Sequence, residues 1–309
     1  GIAYLSTIIA GTSAFFIGKS LLPILLNGSQ ELNKVDKAVK PLFEINIPPF
    51  MKIMTALVTA FMIGLGMANA EEDYLYNVIT DFQEIIQMVI KTVIIPLLPV
   101  HIAGIIANMS YVGKVASTMA AFGKVFILIL GLQISYVIVQ YLIACQIGNR
   151  NPITAIKNML PAYFTAIGTQ SSAATIPVTV QSVLDNDVKE DIADFVVPLG
   201  ATIHLAGDTI TLTLASMAVM MLHGQTVTFG AMMPFILMLG ITMVAAPGIP
   251  GGGVMASLGL LEGMLGFGAT QKSLMIALHL AQDSFGTASN IMGDGAISII
   301  MDSLSDDEE

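Results

Sequence analysis

Asp283, Thr287, Asn290 and Asp294 recur at intervals of four, three and four residues inside a long apolar stretch. On a helix of 3.6 residues per turn they form one stripe about 16 Å long, a row of oxygen ligands suited to a cation, an ammonium group or a proton. An ionised Asp at the centre of a bilayer span costs roughly 2.5 to 3.5 kcal/mol, so two on one helix point to function. The alternative setting for either carboxylate is an aqueous helix end. A second pair, His204 and Asp208, lies four residues apart with Gly207 between. On one uninterrupted helix the two share a face, either as a structural pair or as a coupled proton site.

Two polar, helix-breaking interruptions accompany these stripes. The first, Gly168 to Pro177, reads GTQSSAATIP and lies between apolar arms at 159–167 and 178–184; the second, Ala246 to Gly253, reads APGIPGGG between arms at 235–244 and 254–265. Each arm is about half the length of a span. Irregular backbone at membrane depth is tolerated only where protein, ligand or water satisfies it, so the pair predicts re-entrant hairpins whose tips line a site. Half-helix N-termini favour an anionic carboxylate and freed carbonyls favour cations. Loops outside the bilayer joining short helices are the competing arrangement.

The elements that must position these groups are apolar and long. Of 309 residues, 55% are hydrophobic and 11% charged, with a mean hydropathy of +0.80. Candidate spans run from Ile2 to Leu26, Phe50 to Ala70, Ile85 to Met109, Ser117 to Cys145, Val196 to Leu222, Phe229 to Ala246 and Leu274 to Met301. Serial runs of this length exclude a soluble α/β enzyme, whose buried strands are four to eight residues long. The single Cys145 rules out a disulfide framework. The net charge of −10 owes much to Asp302–Glu309 and to residues 185–194, and gives no sign of a nucleic-acid partner. Lys and Arg are too sparse to fix orientation. The polar loop from Asn27 to Pro49 separates the first span from the second, and the start at Gly1 reads as a trimmed one.

With these motifs the chain resembles the dicarboxylate/amino acid:cation symporters, which include the excitatory glutamate transporters, archaeal aspartate-transporting homologues and the bacterial serine/threonine transporter. Ser171 to Pro177 resembles the serine-rich tip of that family's first hairpin, and Gly248 to Gly253 the tip of its second. Pro198 to Ile203 followed by Leu205 to Gly207 resembles the seventh helix, and Asp283 to Asp294 the eighth, in the pattern D-x-x-x-T-x-x-N-x-x-x-D. Tyr4 and Thr7 fall where the third helix would be, with the first two helices absent.

The resemblance implies an all-α, multi-pass membrane protein with two re-entrant helical hairpins, a glutamate-transporter-like fold truncated at its N-terminus. Residues 1–148 would form scaffold and connecting helices, 149–304 the transport core and 305–309 an acidic tail. Within the core, hairpin 1 would cover about 152–185, the seventh helix about 190–222, hairpin 2 about 228–265 and the eighth helix about 272–302. It implies a substrate site of Ser171, Ser172, Asp208, Ile249, Gly253, Asp283, Gly286, Thr287 and Asn290. Asp283 and Thr287 would hold the amino group, and Asn290 with the backbone near Ser172 the α-carboxylate. Sodium would bind at Asp294, Asn290 and the Gly200 carbonyl, and again at Thr202 with carbonyls near Ala246; His204 stands where the family shapes a cation site with asparagine.

Departures from the family pattern bear on the substrate. The arginine that grips a side-chain carboxylate is replaced by Gly286, the arginine before the hairpin-1 serines by Gln170, and Asn-Met-Asp-Gly by His204-Leu205-Ala206-Gly207. A dicarboxylate would bury its second charge unpaired, which disfavours it. The expected function is therefore sodium-coupled symport of a small neutral polar amino acid, closest in motif to the serine/threonine type, with fewer coupled sodium ions. A cationic amino acid, or proton coupling through Asp208 and His204, is the alternative. No enzyme activity and no cofactor beyond sodium ions are expected; a homotrimer in the cell (inner) membrane is. An intramembrane aspartyl protease is disfavoured because neither Asp208 nor Asp294 ends a Gly-x-Gly-Asp motif. A channel is the other class to separate.

Overall fold

The computed structural model describes residues 1–27, 51, 53–68, 74–89, 92–93, 95–111, 113, 115–244, 246 and 250–306. All regular structure among them is helical: α1 (Ile2–Leu25), α2 (Ile53–Ala68), α3 (Tyr74–Val89), α4 (Ile95–Tyr111), α5 (Val115–Ile147), α6 (Pro152–Asn158), α7 (Leu160–Thr169), α8 (Ser172–Leu184), α9 (Glu190–Ile203), α10 (Ala206–Leu222), α11 (Phe229–Val244), α12 (Gly252–Leu265) and α13 (Ala269–Asp306). Three stretches, Ile2–Leu25, Ala116–Ile147 and Glu190–Leu222, are long and apolar enough to cross a membrane.

The chain divides into two compact units, one of residues 1–34 with 116–309 and one of residues 35–115. The smaller unit carries α2, α3 and α4. The expected span from Ile85 to Met109 falls on the end of α3 and on α4, with residues 90, 91 and 94 between them outside the described residues. The expected loop from Asn27 to Pro49 lies outside the described residues after Asn27.

Within the larger unit, α1 packs on α10 and α11, and α5 shares a core with α6, α7, α9 and α13. The first contact rests on the small-residue face of α1: a Cβ on Gly11 would stand 2.7 Å from Ile236 and one on Gly18 2.7 Å from Leu214, so α1 presses onto α11 and α10 at backbone distance. α5 contributes Tyr141, Ala144 and Cys145 to a core completed by Ala155, Ala162, Ala166, Ala193, Ala288 and Ala296. Alanines at these positions let α7, α8, α9 and α13 approach closely.

Hairpin 1 is tighter than its sequence suggests. Asn151 caps α6 by accepting from the Ile153 and Thr154 N–H groups at 2.9 and 3.2 Å, with Pro152 pre-set at the first position. α7 ends at Thr169, Gln170 takes a left-handed conformation at φ 52°, and Ser171 caps α8 through the Ala174 N–H at 3.2 Å. The expected ten-residue tip thus shrinks to Gln170 and Ser171, and Pro177 sits inside α8 without ending it. In hairpin 2, Gly251 precedes α12 at φ 75°, a conformation glycine adopts freely.

The expected helix over 190–222 is broken. His204 (φ −113°, ψ 93°) and Leu205 (φ −118°, ψ 53°) are extended, so α9 and α10 are separate half-helices. This overturns the His204 and Asp208 pairing: once the helical register is lost, the two side chains find different partners on α13.

Candidate functional site

α13 is the spine of the site. Its stripe is buried, with Asp283 5%, Thr287 4%, Asn290 2% and Asp294 0% exposed. Both hairpin tips reach it at adjacent positions. The Gly251 N–H donates to Asp283 Oδ2 at 2.6 Å, and the Gln170 side-chain amide donates to Ser284 Oγ at 2.8 Å.

The broken helix supplies the other wall. Asn290 Oδ1 accepts the Gly207 N–H at 2.8 Å, and its Nδ2 donates to Asp208 Oδ2 at 2.8 Å. One amide thereby satisfies a backbone donor freed at the start of α10 and one oxygen of a buried carboxylate. The other oxygen, Asp208 Oδ1, is 3.0 Å from His279 Nε2. α10 and α13 touch at backbone distance here, because a Cβ on Gly207 would stand 2.4 Å from the Gly286 carbonyl oxygen. Asp208 fills the space beside Gly286, where a Cβ would stand 2.9 Å from Oδ1.

His204 turns the opposite way from Asp208. Its Nδ1 lies 2.9 Å from Asp294 Oδ1, and its Nε2 lies 2.9 Å from Ser6 Oγ on α1. Ser6 is held in turn by Tyr136 at 3.0 Å and by the Gln140 amide at 3.0 Å, both on α5. Gly200 lies against the same carboxylate: a Cβ there would stand 2.6 Å from Asp294 Oδ1. Asp294 Oδ2 is buried without a hydrogen-bond partner among the described residues.

The expected site residues thus fall into three groups. Asp208, Gly253, Asp283, Gly286, Thr287 and Asn290 are buried in the large unit, five of them on or directly against α13, with Gly253 3.3 Å in Cβ reach of His279. Gly200, His204 and Asp294 gather at a second point lower on α13. Ser171 and the buried Ser172 form the hairpin-1 tip, whose tie to α13 is the neighbouring Gln170. Thr202 is exposed and donates to the Leu199 carbonyl at 2.8 Å on its own helix, so it does not join that cluster. Ile249 lies outside the described residues.

Several polar partners were not predicted. His279 stands one turn before Asp283, a spacing visible in the sequence. Ser6, Tyr136, Gln140 and Gln133 come from α1 and α5, and Gln133 donates to the Gly207 carbonyl at 3.1 Å. The one arginine, Arg150, pairs with Asp302 at the end of α13 and donates to the Asp187 carbonyl at 3.0 Å.

A family model described as the sodium:dicarboxylate symporter family matches residues 1–304. The chain belongs to that family. Its members are membrane transporters rather than enzymes, and symport coupled to sodium is the activity the family name states. Among its relatives, excitatory amino acid transporter 1 of Ambystoma tigrinum is 29% identical over 290 residues, covering 89% of this chain and 52% of the relative. Excitatory amino acid transporter 1 of Homo sapiens is 30% identical over 205 residues, 66% of this chain and 37% of the relative. A putative sodium-dependent excitatory amino acid transporter, glt-4, of Caenorhabditis elegans is 28% identical over 187 residues, 60% of this chain and 37% of the relative. The chain therefore spans about half the length, or less, of the relatives it matches.

Proposed function

We propose that this symporter chain carries a small neutral polar amino acid, serine-like or threonine-like, together with sodium by alternating access. The observation that carries the reading is the convergence of both hairpin tips on adjacent residues of α13, Gln170 on Ser284 and Gly251 on Asp283. Re-entrant placement of the two hairpins puts this convergence near the bilayer midplane, where broken helices build binding sites. Asp283 and Thr287 receive the substrate's ammonium group. Asn290 and the N-terminus of α8 at Ser172 receive its carboxylate, the helix end supplying unpaired N–H groups. Ile249 and Gly253 belong to the tip that closes over it.

The relatives are named for excitatory amino acids, but this chain's site favours a different side chain. Asp208 is 4% exposed beside Gly286, and neither tip brings a cationic side chain to α13. A second substrate carboxylate there would be buried next to a like charge. A hydroxyl can donate to Asp208. His279 and Asn290 already engage one Asp208 oxygen each, which leaves the carboxylate acceptor capacity for one small donor from the substrate.

Sodium is carried at Asp294, whose Oδ2 is buried without a partner, with the backbone around Gly200 as the further source of oxygens. His204 orients that carboxylate, and Asn290 joins the ion when the substrate rearranges its contacts. Thr202, with carbonyls near Ala246, serves a second sodium position. The carrier works as a homotrimer in the cell (inner) membrane.

The test is thermal stabilisation of the purified full chain by serine, threonine, lysine and glutamate, with and without sodium, since a ligand stabilises by mass action. Sodium-dependent stabilisation by the hydroxyl amino acids supports the reading. Stabilisation by glutamate and not by serine or threonine overturns it. Exchange of labelled for unlabelled substrate across vesicles separates a carrier from a channel.

A further inference from the structure

Asp208 on α10 and His279 and Asp283 on α13 offer one ring nitrogen and two carboxylate oxygens that lie within 4.8 Å of one another. All three side chains are buried, at 4%, 0% and 5% exposure. His279 Nε2 is 3.0 Å from Asp208 Oδ1. Its other ring nitrogen, Nδ1, is buried without a hydrogen-bond partner among the described residues and stands 4.0 Å from Asp283 Oδ1. An imidazole set between two buried carboxylates, with one nitrogen unpaired, calls for an explanation.

We propose that Asp208, His279 and Asp283 form a binding site for a borderline divalent transition-metal ion of the Zn2+ class. The ligand types make this choice. Sodium, magnesium and calcium take oxygen sets, whereas an imidazole with carboxylates suits zinc and its neighbours. Bonds of about 2.0 to 2.2 Å in a tetrahedron put ligand atoms roughly 3.4 Å apart, so the cluster closes on an ion by small side-chain rotations. Packing around the cluster is close: a Cβ on Gly286 would stand 2.9 Å from Asp208 Oδ1 and one on Gly253 3.3 Å from His279 Nε2, so only glycine at these two positions keeps a side chain off the ligand atoms. Three protein ligands leave a fourth position for water, as in open zinc sites. Because Asp283 Oδ2 also takes the Gly251 N–H, the bound ion holds the hairpin-2 tip against α13.

The inference rests on three side chains, and since Asp208 and Asp283 are also the groups proposed to meet the substrate, the ion and the amino acid are alternative occupants of one site. Titration calorimetry with ZnCl2 on the purified full chain, freed of any histidine tag, reads it without transport. One ion per chain is expected, and Co2+ in its place gives the intense visible absorption of tetrahedral coordination. His279→Gln, which keeps a donor for Asp208, weakens Zn2+ binding about 100-fold or more, beyond the loss of an outer-shell partner. Asp283→Asn does the same, while His223→Asn, at the end of α10, changes nothing. Absence of stoichiometric Zn2+ binding, an octahedral Co2+ spectrum, or undiminished binding in both His279→Gln and Asp283→Asn overturns the site. Each of these outcomes leaves the amino-acid stabilisation screen to be judged on its own.

Discussion

The Asn290 amide donates to Asp208 Oδ2 at 2.8 Å, and the same side chain accepts the Gly207 N–H at 2.8 Å. α13 thereby holds the first turn of α10 by a side chain that has both ends engaged. Asn290→Ala leaves a buried carboxylate oxygen and a buried N–H without partners. A loss of about 2 kcal/mol or more is expected, read by thermal unfolding in detergent.

Glycine substitutions should separate close approach from mere flexibility. Gly207→Ala drives a Cβ to 2.4 Å from the Gly286 carbonyl oxygen, a backbone atom that cannot turn aside. It should destabilise by about 1 to 3 kcal/mol or more. Gly168→Ala, in α7 with nothing within 4 Å, should be neutral or should stabilise by about 0.5 to 1 kcal/mol. Equal shifts in Tm for the two variants would contradict the packing described.

His204 and Asp294 are both fully enclosed, with side-chain exposures of 0% and 0%. His204→Ala leaves a buried carboxylate with its Oδ1 unpartnered as well as Oδ2. A loss of about 3 to 5 kcal/mol is expected. Ser6→Ala removes the group on the far ring nitrogen, so a double-mutant cycle between positions 6 and 204 should show non-additivity of about 0.5 kcal/mol or more.

Gln170 ties the hairpin-1 tip to Ser284 through a single bond at 2.8 Å. Gln170→Ala and Ser284→Ala should each cost about 0.5 to 1.5 kcal/mol. The double variant should cost little more than either alone. Additive losses would show that the tip is held elsewhere.

The stripe on α13 was legible because a buried helix repeats its polar face at three and four residues, and nothing in 283–294 interrupts it. Both hairpins were legible as paired interruptions, but the first tip was read too long: serine and threonine side chains that signal a loop also cap a helix, as Ser171 does for α8. The break at His204 and Leu205 carries no proline and is sustained by contacts from Asn290, Ser6 and Gln133, which lie 86, 198 and 71 residues away in the chain. Periodicity cannot report such contacts. For the same reason the contacts of α1 with α10 and α11 were not legible: Gly11 and Gly18, which meet Ile236 and Leu214, read as ordinary members of an apolar run.

The contact between Gly286 and Asp208 constrains how this sequence can evolve. An arginine acquired at 286 would enter against Asp208 Oδ1, only 2.9 Å from the new Cβ, and its charge would be matched by that aspartate before any substrate arrived. Losing Asp208 first would strand His279 and the Asn290 amide. A side chain at 286 therefore requires an accommodating change at 208 as well.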